Sequence, residues 1–367
     1  CKYEIKVYAE TKMIVYKKPF IKCKYTYGSC FITNVIFFLM WFIIGFNTDN
    51  ADYTLGYCVP YYDLSQNYFE TGYRYLNILG RTCGLTFFQF RLILMTVMLL
   101  LLCNSIKKYA RFPVFVTILY MIYPLLLQSV QIRNALAAAI VIYALRYLDE
   151  NERCYKYLFF VFLAGSIHNI SLIYFLLVFT RKKTVSFVFK ISGCIFIFLY
   201  IIIIFFQNKI LSLLYFLLKD ERVYLYANLN EQHLFIKSML PYIIVGGLLL
   251  YIFIVKKKRY IRLKNISSQD KTLLKASTLL LGFLPLFLID GNYYRIWAFF
   301  LPVIYIAILN MNQYSGKLKN DKWIMRACCM TLAAGLFILD LSPYDPNGYE
   351  QVTKAVIQNN AILEWLK

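Results

Sequence analysis

The sequence predicts an all-α, polytopic integral membrane protein. Hydrophobic residues make up 60% of the 367 residues and charged residues only 16%, whereas about 25% of the residues in an average soluble domain are charged. Apolar segments recur along the chain at close to the ~20 residues that a helix needs to cross the hydrocarbon core. Lys and Arg gather in alternate loops between these segments, as they do in proteins that cross a membrane repeatedly.

The apolar segments predict about nine or ten membrane segments, because several of them are short or carry polar residues. In chain order they cover residues 31–46, 86–105, 112–130, 134–148, 158–180, 184–206, 235–254, 273–289, 296–310 and 323–339. The first 30 residues are charged rather than apolar, so we expect no cleavable signal sequence there.

These segments divide the chain into three parts. We expect a basic cytoplasmic tail at 1–30, a single transmembrane domain at 31–339 with outer loops at 47–85 and 207–234, and an outer tail at 340–367. In the outer tail, Tyr344 and Asp345 are candidate sugar contacts.

The net charge of +21 indicates orientation rather than a nucleic acid partner, because the basic residues lie between apolar segments. Loops rich in Lys and Arg face the cytoplasm. Here these loops are residues 2–24, 107–108, 181–183, 256–259 and 317–326. The chain is therefore expected in the cytoplasmic membrane, with many passes and its N-terminus inside.

The segment 158–180 has basic residues on both flanks, which places both of its ends inside. Its 23 residues reach only about 35 Å as a helix, too short for two full crossings. We therefore expect a re-entrant turn near His168, where the backbone is tolerated if it is buried in protein or faces a water-filled cavity. A single crossing, with the downstream chain inverted, is the alternative.

Arg133 is a charge flanked by apolar stretches on both sides. It lies in Gln131-Ile132-Arg133-Asn134, at a short turn or just inside the bilayer. A charge near hydrocarbon is costly and usually functional. The alternative is an arginine at a helix end whose side chain extends to the headgroups.

The predicted topology places further polar residues on the outer side with Arg133, where they form an active-site cavity between the outer loops. The loop 47–85 carries acids and many tyrosines, and Arg295 begins a span from the same side. Arginine suits phosphate because its planar fork donates two parallel hydrogen bonds. Tyrosine suits sugars, although an interfacial aromatic belt also explains the tyrosines.

Three further residues are candidates for a functional role. His168 lies among apolar residues, where either a functional role or a hydrogen bond between helices explains it. Asp52 and Glu70 are acids of the outer loop 47–85, and each is either part of a site or a solvated loop acid.

Four motifs in this order resemble those of the EpsG family. They are Asn47-Thr48-Asp49-Asn50-Ala51-Asp52-Tyr53, Phe69-Glu70-Thr71-Gly72-Tyr73-Arg74-Tyr75-Leu76-Asn77, Ile132-Arg133-Asn134-Ala135-Leu136-Ala137 and Ile167-His168-Asn169-Ile170-Ser171. The resemblance covers roughly residues 30–310. The chain departs from the family at Asn47, where members commonly have arginine, and at Asn134, where they commonly have glutamine.

The resemblance implies a bacterial exopolysaccharide or capsule polymerase of the Wzy type. Such an enzyme transfers a glycan from a polyprenyl diphosphate to the terminal sugar of another lipid-linked repeat unit at the outer face of the membrane, without a metal ion or cofactor. Arg133, with Arg295 second, is then expected to stabilise the charge on the departing diphosphate. The further substrate-binding residues expected are Tyr53, Tyr73, Arg74, Gln131 and Asn134.

The attacking hydroxyl in such a reaction needs a proton acceptor. Asp52 and Glu70 fit a general base if they reach the acceptor sugar. We favour a carboxylate as the base and His168 as a binding or orienting group, although the sequence does not rank them.

The implied partners are the lipid-linked oligosaccharide, membrane lipids, and the flippase and chain-length regulator of the same pathway. Two functions from other classes remain open. A flippase of lipid-linked sugars is expected to contain internal repeats, and none is evident. A membrane acyltransferase that modifies the glycan needs a His/Asp or His/Ser pairing, which His168-Asn169 matches poorly. A glycan ligase belongs to the same chemical class as the polymerase, and the sequence does not separate the two.

Overall fold

The computed structural model describes residues 27–63, 65, 68–149, 152–218, 240–251, 266–289, 291–312 and 319–365. In this part of the chain all regular secondary structure is helical, which confirms the all-α prediction. Most of the expected tail at 1–30 and residues 219–234 of the expected outer loop lie outside the described residues.

The fold is a bundle of long helices joined by short helical turns. The main helices are α1 (Tyr27–Gly45), α2 (Thr71–Thr82), α3 (Phe87–Tyr109), α4 (Pro113–Ile122), α5 (Leu125–Val130), α6 (Ile132–Ala144), α7 (Cys154–Ile167), α8 (Val185–Leu218), α9 (Leu240–Tyr251), α10 (Ser268–Leu281), α11 (Leu301–Asn312) and α12 (Lys319–Leu341). Shorter elements cover Tyr53–Cys58, Val59–Tyr62, Asn169–Thr180, Leu284–Leu288, Gly291–Tyr294, Arg295–Ala298, Pro346–Gly348, Tyr349–Lys354, Ala355–Gln358 and Ala361–Trp365.

Six helical stretches among the described residues are long and apolar enough to cross a membrane. They are Gly28–Gly45, Phe87–Tyr109, Val185–Phe206, Ser268–Leu288, Asn292–Asn312 and Trp323–Leu341. The chain is thus a multi-pass membrane protein, but the expected count of nine or ten segments is not confirmed.

The difference in count arises where apolar segments are broken into shorter helices. The segment 112–130 is divided at Pro124 between α4 and α5, since proline lacks an N–H and disfavours helical geometry in the residue before it. The segment 134–148 forms only the 13 residues of α6 followed by a 3₁₀ turn. Apolar composition alone did not reveal these breaks.

The segment around His168 folds into a helical hairpin. α7 packs against the 3₁₀ helix Asn169–Thr180, and His168 between them is extended, with φ −152° and ψ 117°. The Tyr157 hydroxyl donates to the carbonyl of Tyr174 at 2.8 Å, so the two arms pair across the turn. Whether this hairpin is re-entrant in a membrane stays a prediction.

The two ends of the hairpin meet at one end of the bundle. The Arg181 guanidinium donates to the Asp149 carbonyl at 3.2 Å, and Ser268 Oγ donates to Asp149 Oδ1 at 2.8 Å. Lys275 Nζ donates to the Arg181 carbonyl at 2.8 Å. Because Lys108, Arg111 and Arg146 lie there too, we call this the basic end.

The opposite end of the bundle lies where α3 and α6 begin, and we call it the cavity end. α3 has 23 residues and therefore spans about 34 Å between the two ends. α6 runs beside α3 and α7, and its alanines, such as Ala135, Ala137 and Ala139, are fully buried. Small side chains allow such close approach of helices, so α6 holds a fixed position inside the bundle.

Candidate active site

Arg133 lies at the cavity end because one helix ends and the next begins just before it. Gln131 has φ −92° and ψ 60°, which ends α5 and begins α6. Arg133 is therefore in the first helical turn, where backbone N–H groups have no partner within the helix. Its side chain is 19% exposed, so the guanidinium is accessible from the cavity end.

Glu70 holds Arg133 in place. The two side chains form an ion pair between Arg133 Nη1 and Glu70 Oε2, and Glu70 Oε1 accepts from the backbone N–H of Asn169 at 3.2 Å. A Cβ on Gly72 would lie 2.7 Å from the carbonyl oxygen of Ser166, so only glycine allows α2 to approach the hairpin this closely. The hairpin tip is thereby joined to the Arg133 pocket.

Aromatic rings form the wall of this pocket. The Arg133 guanidinium carbon lies 4.3 Å from the ring centre of Phe69 and 5.9 Å from those of Tyr57 and Tyr73. All three rings are buried, and ring faces at such distances attract a cation. The Nε of Arg133 is buried and has no hydrogen-bond partner among the described residues.

The charges of both candidate arginines act on Asp52. Burial raises the pKa of Asp52 above its ordinary value, and the charges of Arg295 and Arg133 offset part of that rise. The same two arginines also act on the imidazole of His168. Four residues from distant parts of the sequence therefore share one electrostatic environment.

His168 is oriented by its own backbone. Its Nδ1 accepts a hydrogen bond from the N–H of Ile170 at 3.3 Å. A nitrogen that accepts carries no proton, so the imidazole is neutral and Nε2 bears the hydrogen. His168 can therefore donate to an oxygen atom of a substrate, but Nδ1 is not free to accept a proton from one.

A cavity of about 330 Å³ opens beside Arg295 and Asp52. Its floor includes Gln131 and Tyr294, and the end of α12 and the C-terminal helical turns form the opposite wall. The polar residues that line it are Asp52, Gln131, Arg295, Asp340, Asp345 and Gln351. Arg295 Nη2 donates to Asn292 Oδ1 at 3.0 Å, which fixes the arginine at the cavity edge.

The remaining predicted substrate contacts lie in different surroundings. The Tyr53 ring faces the Arg91 guanidinium at 5.7 Å and packs against Phe87. The Arg74 side chain is exposed on α2. Asn134 is 3% exposed, and its Nδ2 has no partner. Their proposed contacts with substrate stay predictions.

Arg91 was not among the predicted site residues, and it is fully buried about one turn after the start of α3. Its Nη1 donates to the carbonyls of Gly45 (3.3 Å) and Asn47 (2.9 Å), and its Nη2 donates to the Ser129 carbonyl (3.2 Å) and to Asn47 Oδ1 (3.3 Å). In the sequence, Arg91 was recognisable as a charged residue near the start of the apolar segment 86–105. Asp340, at the end of the last predicted span, carried the same kind of signal.

Comparison with known proteins gives one match. A family model described as the EpsG family matches residues 30–351. No curated protein and no solved structure matches the chain. The matched range includes all the predicted site residues as well as Asp340 and Asp345.

Proposed function

We propose that this chain, which belongs to the EpsG family of Wzy-type polysaccharide polymerases, joins polyprenyl-diphosphate-linked oligosaccharide repeat units into exopolysaccharide or capsule. The observation that carries this proposal is the convergence of Arg133, Arg295, Asp52 and His168 on one pocket beside a cavity. Two cations, a carboxylate and a hydrogen-bond donor are what transfer from a lipid diphosphate requires.

The distribution of charge supports action at the outer face of a bacterial cytoplasmic membrane. Lys108, Arg111, Arg146 and Arg181 gather at the basic end, which the positive-inside rule assigns to the cytoplasm. The candidate site lies at the other end, about 34 Å away along α3, and a hydrocarbon core is about 30 Å thick. This distribution supports the proposal that the site faces outward and that the N-terminus is cytoplasmic.

In the proposed reaction, a hydroxyl on the terminal sugar of the acceptor attacks the anomeric carbon of the donor glycan. A new glycosidic C–O bond forms, and the bond from that carbon to the diphosphate breaks, so the leaving group takes the electron pair. Arg133 and the backbone N–H groups of the first turn of α6 bind the diphosphate, since a helix N-terminus and a guanidinium both favour anions. Arg295 is the second cation, and the scheme needs no metal ion.

Asp52 is the proposed general base, because burial raises its pKa and so makes the carboxylate a stronger proton acceptor than a solvated one. Glu70 has both carboxylate oxygens engaged, by Arg133 and by the Asn169 N–H. We therefore assign Glu70 to positioning Arg133 rather than to accepting the proton. His168 donates from Nε2 to an oxygen of the sugar or of the diphosphate.

The proposed pathway requires partners on both sides of this step. A flippase delivers the lipid-linked repeat unit to the outer face, and a chain-length regulator limits the product. Membrane lipids surround the peripheral helices, of which Val185–Phe206 is only 17% buried within the protein.

The test is reconstitution of the purified protein in liposomes with a lipid-linked repeat unit, followed by separation of products by length. Arg133→Ala is expected to lower the elongation rate about 100- to 1,000-fold, the loss typical of removing one donor to a developing anion. Arg153→Ala is the matched control, because Arg153 is exposed on the chain between α6 and α7. Normal elongation by folded Arg133→Ala would refute the assigned role, and transbilayer movement without elongation would favour a flippase.

A further inference from the structure

We infer that the cavity beside Asp52 binds the terminal sugar of the acceptor, and that it selects a neutral hexose over a uronic acid. This inference rests on the proposed polymerase function and adds the site and charge class of one substrate. It divides the candidate site into a diphosphate pocket around Arg133 and a sugar cavity around Asp52, Asp340 and Asp345.

The first argument is an unsatisfied acceptor. Gln131 is 8% exposed and lines the cavity, and its Nε2 donates to the Tyr294 hydroxyl at 2.7 Å. That bond leaves Oε1 as the remaining polar atom of the amide, and Oε1 is buried without a hydrogen-bond partner. A buried acceptor without a donor is costly, and a sugar hydroxyl would supply the missing donor.

The charge of the cavity lining favours a neutral sugar. Of the charged side chains among the described residues that line the cavity, three are aspartates and one is an arginine. Carboxylates accept strong, charge-assisted bonds from hydroxyl groups, so a neutral sugar is well bound. A uronate or a diphosphate would instead meet like charges at close range, which discriminates against it.

The size of the cavity and its position beside Asp52 also fit a sugar. The cavity of about 330 Å³ is at the lower end of the ~300–1,000 Å³ that small-molecule sites occupy, which fits one or two sugar rings rather than a whole repeat unit. Asp52 and Arg295 both line this cavity, and the charge of Arg133 also acts on Asp52. An acceptor hydroxyl in the cavity therefore lies beside the proposed base and faces the diphosphate pocket.

Saturation-transfer NMR on the full chain in lipid nanodiscs tests the inference with two matched pairs of probes. These are methyl glucoside with methyl glucuronide, and methyl galactoside with methyl galacturonide, whose members differ only at the C6 group. In at least one pair, the neutral member is expected to bind at least tenfold more tightly. Asp340→Asn combined with Asp345→Asn should reduce that preference at least threefold.

These substitutions are chosen to preserve the fold. Asp345 Oδ1 accepts from the N–H of Gly348 as the N-cap of a short helix, and asparagine caps equally well. Asp340 accepts from the Tyr123 hydroxyl, which an amide oxygen can replace. Glu350→Gln is the control, because Glu350 is an exposed acid on the same segment that pairs with Lys354.

The inference is overturned if neither member of either pair binds, if uronides bind as tightly as neutral glycosides, or if the double variant leaves the preference unchanged. Elongation is measured in the same preparations, so the two proposals fail separately. Elongation without a preference for neutral glycosides would support the polymerase function and refute the sugar cavity. The opposite result would be a preference for neutral glycosides that the double variant weakens, without elongation by the wild-type protein. It would support the sugar cavity and refute the polymerase function.

Discussion

Arg91 and Arg133 both lie near the start of an apolar helix at the cavity end, yet their surroundings differ. Arg91 is fully buried, and its terminal nitrogens donate only to backbone carbonyls and to Asn47. Arg133 is 19% exposed and pairs with Glu70, a side chain that can move. Carbonyls fixed by helix ends cannot be exchanged for a ligand, whereas a carboxylate partner can. Arg91 thus has the contacts of an arginine that holds the fold, whereas the Arg133 guanidinium is partly accessible.

The Arg91 network also explains how the C-terminal segment is held. Asn47 accepts from Arg91, and its own Nδ2 donates to the Asn359 carbonyl at 2.9 Å. The N–H of Ala51 donates to the Gln351 carbonyl at 3.3 Å, so the segment that carries Gln351 is fixed against the turn after α1. Arg91 thus supports one wall of the cavity from a distance.

The largest effect is expected from Arg91→Met, which keeps the volume of the side chain but removes its donors. It leaves the carbonyls of Gly45, Asn47 and Ser129 without this donor, at about 1–3 kcal/mol each. Because whole proteins are stable by only about 5–15 kcal/mol, we expect a large fall in unfolding temperature and in the yield of folded protein. Arg153→Met, exposed, should change neither. If the Arg91→Met protein folds normally and fails only in elongation, Arg91 acts on the substrate and does not differ from Arg133 in role.

A smaller and different effect is expected from Glu70→Gln, which removes the charge that pairs with Arg133 but keeps an acceptor oxygen. A misplaced binding group can lower a rate by about 100-fold, so we expect kcat to fall about 10- to 100-fold. The apparent affinity for the lipid-linked substrate should not fall, because a negative charge beside the diphosphate pocket has gone. The readout is kcat and KM in the liposome assay, with Asp63→Asn as a charge-matched control in the same loop. A proportionate rise in KM with unchanged kcat would contradict a positioning role.

The smallest effect is expected from Asp52→Asn on thermal stability. Burial raises the pKa of Asp52 in the folded protein, so the folded state binds this proton more tightly than the unfolded state. The ionised carboxylate therefore costs stability once the pH exceeds the folded pKa, and the cost disappears below the unfolded value. Asp52→Asn should raise the unfolding temperature slightly at pH 7, and the gain should shrink towards pH 4. A lower unfolding temperature at pH 7 would show that Asp52, like Arg91, serves the fold.

Composition was sufficient to predict the fold class, because apolar content and alternating basic loops report the membrane environment directly. It did not predict where helices break, since Pro124 and the bend at Gln131 act through local backbone geometry. Motif order identified Arg133, Asp52, Glu70 and His168, which the structure brings close together. The different surroundings of Arg91 and Arg133 were not predictable. Both are single charges in apolar sequence, and only their partners in the fold distinguish them.

Gly348 has a consequence for how this enzyme family could change its substrates. A Cβ at this position would lie 1.8 Å from the carbonyl oxygen of Asp340, so the C-terminal segment meets the last span through main chain alone. The width of the cavity at this seam is therefore set by backbone, and substitutions at Asp345 or Gln351 alter its chemistry without widening it there. With the proposed acceptor site in this cavity, a larger acceptor would require an insertion or deletion in residues 341–348, so loop length rather than residue identity would set the size of the sugar.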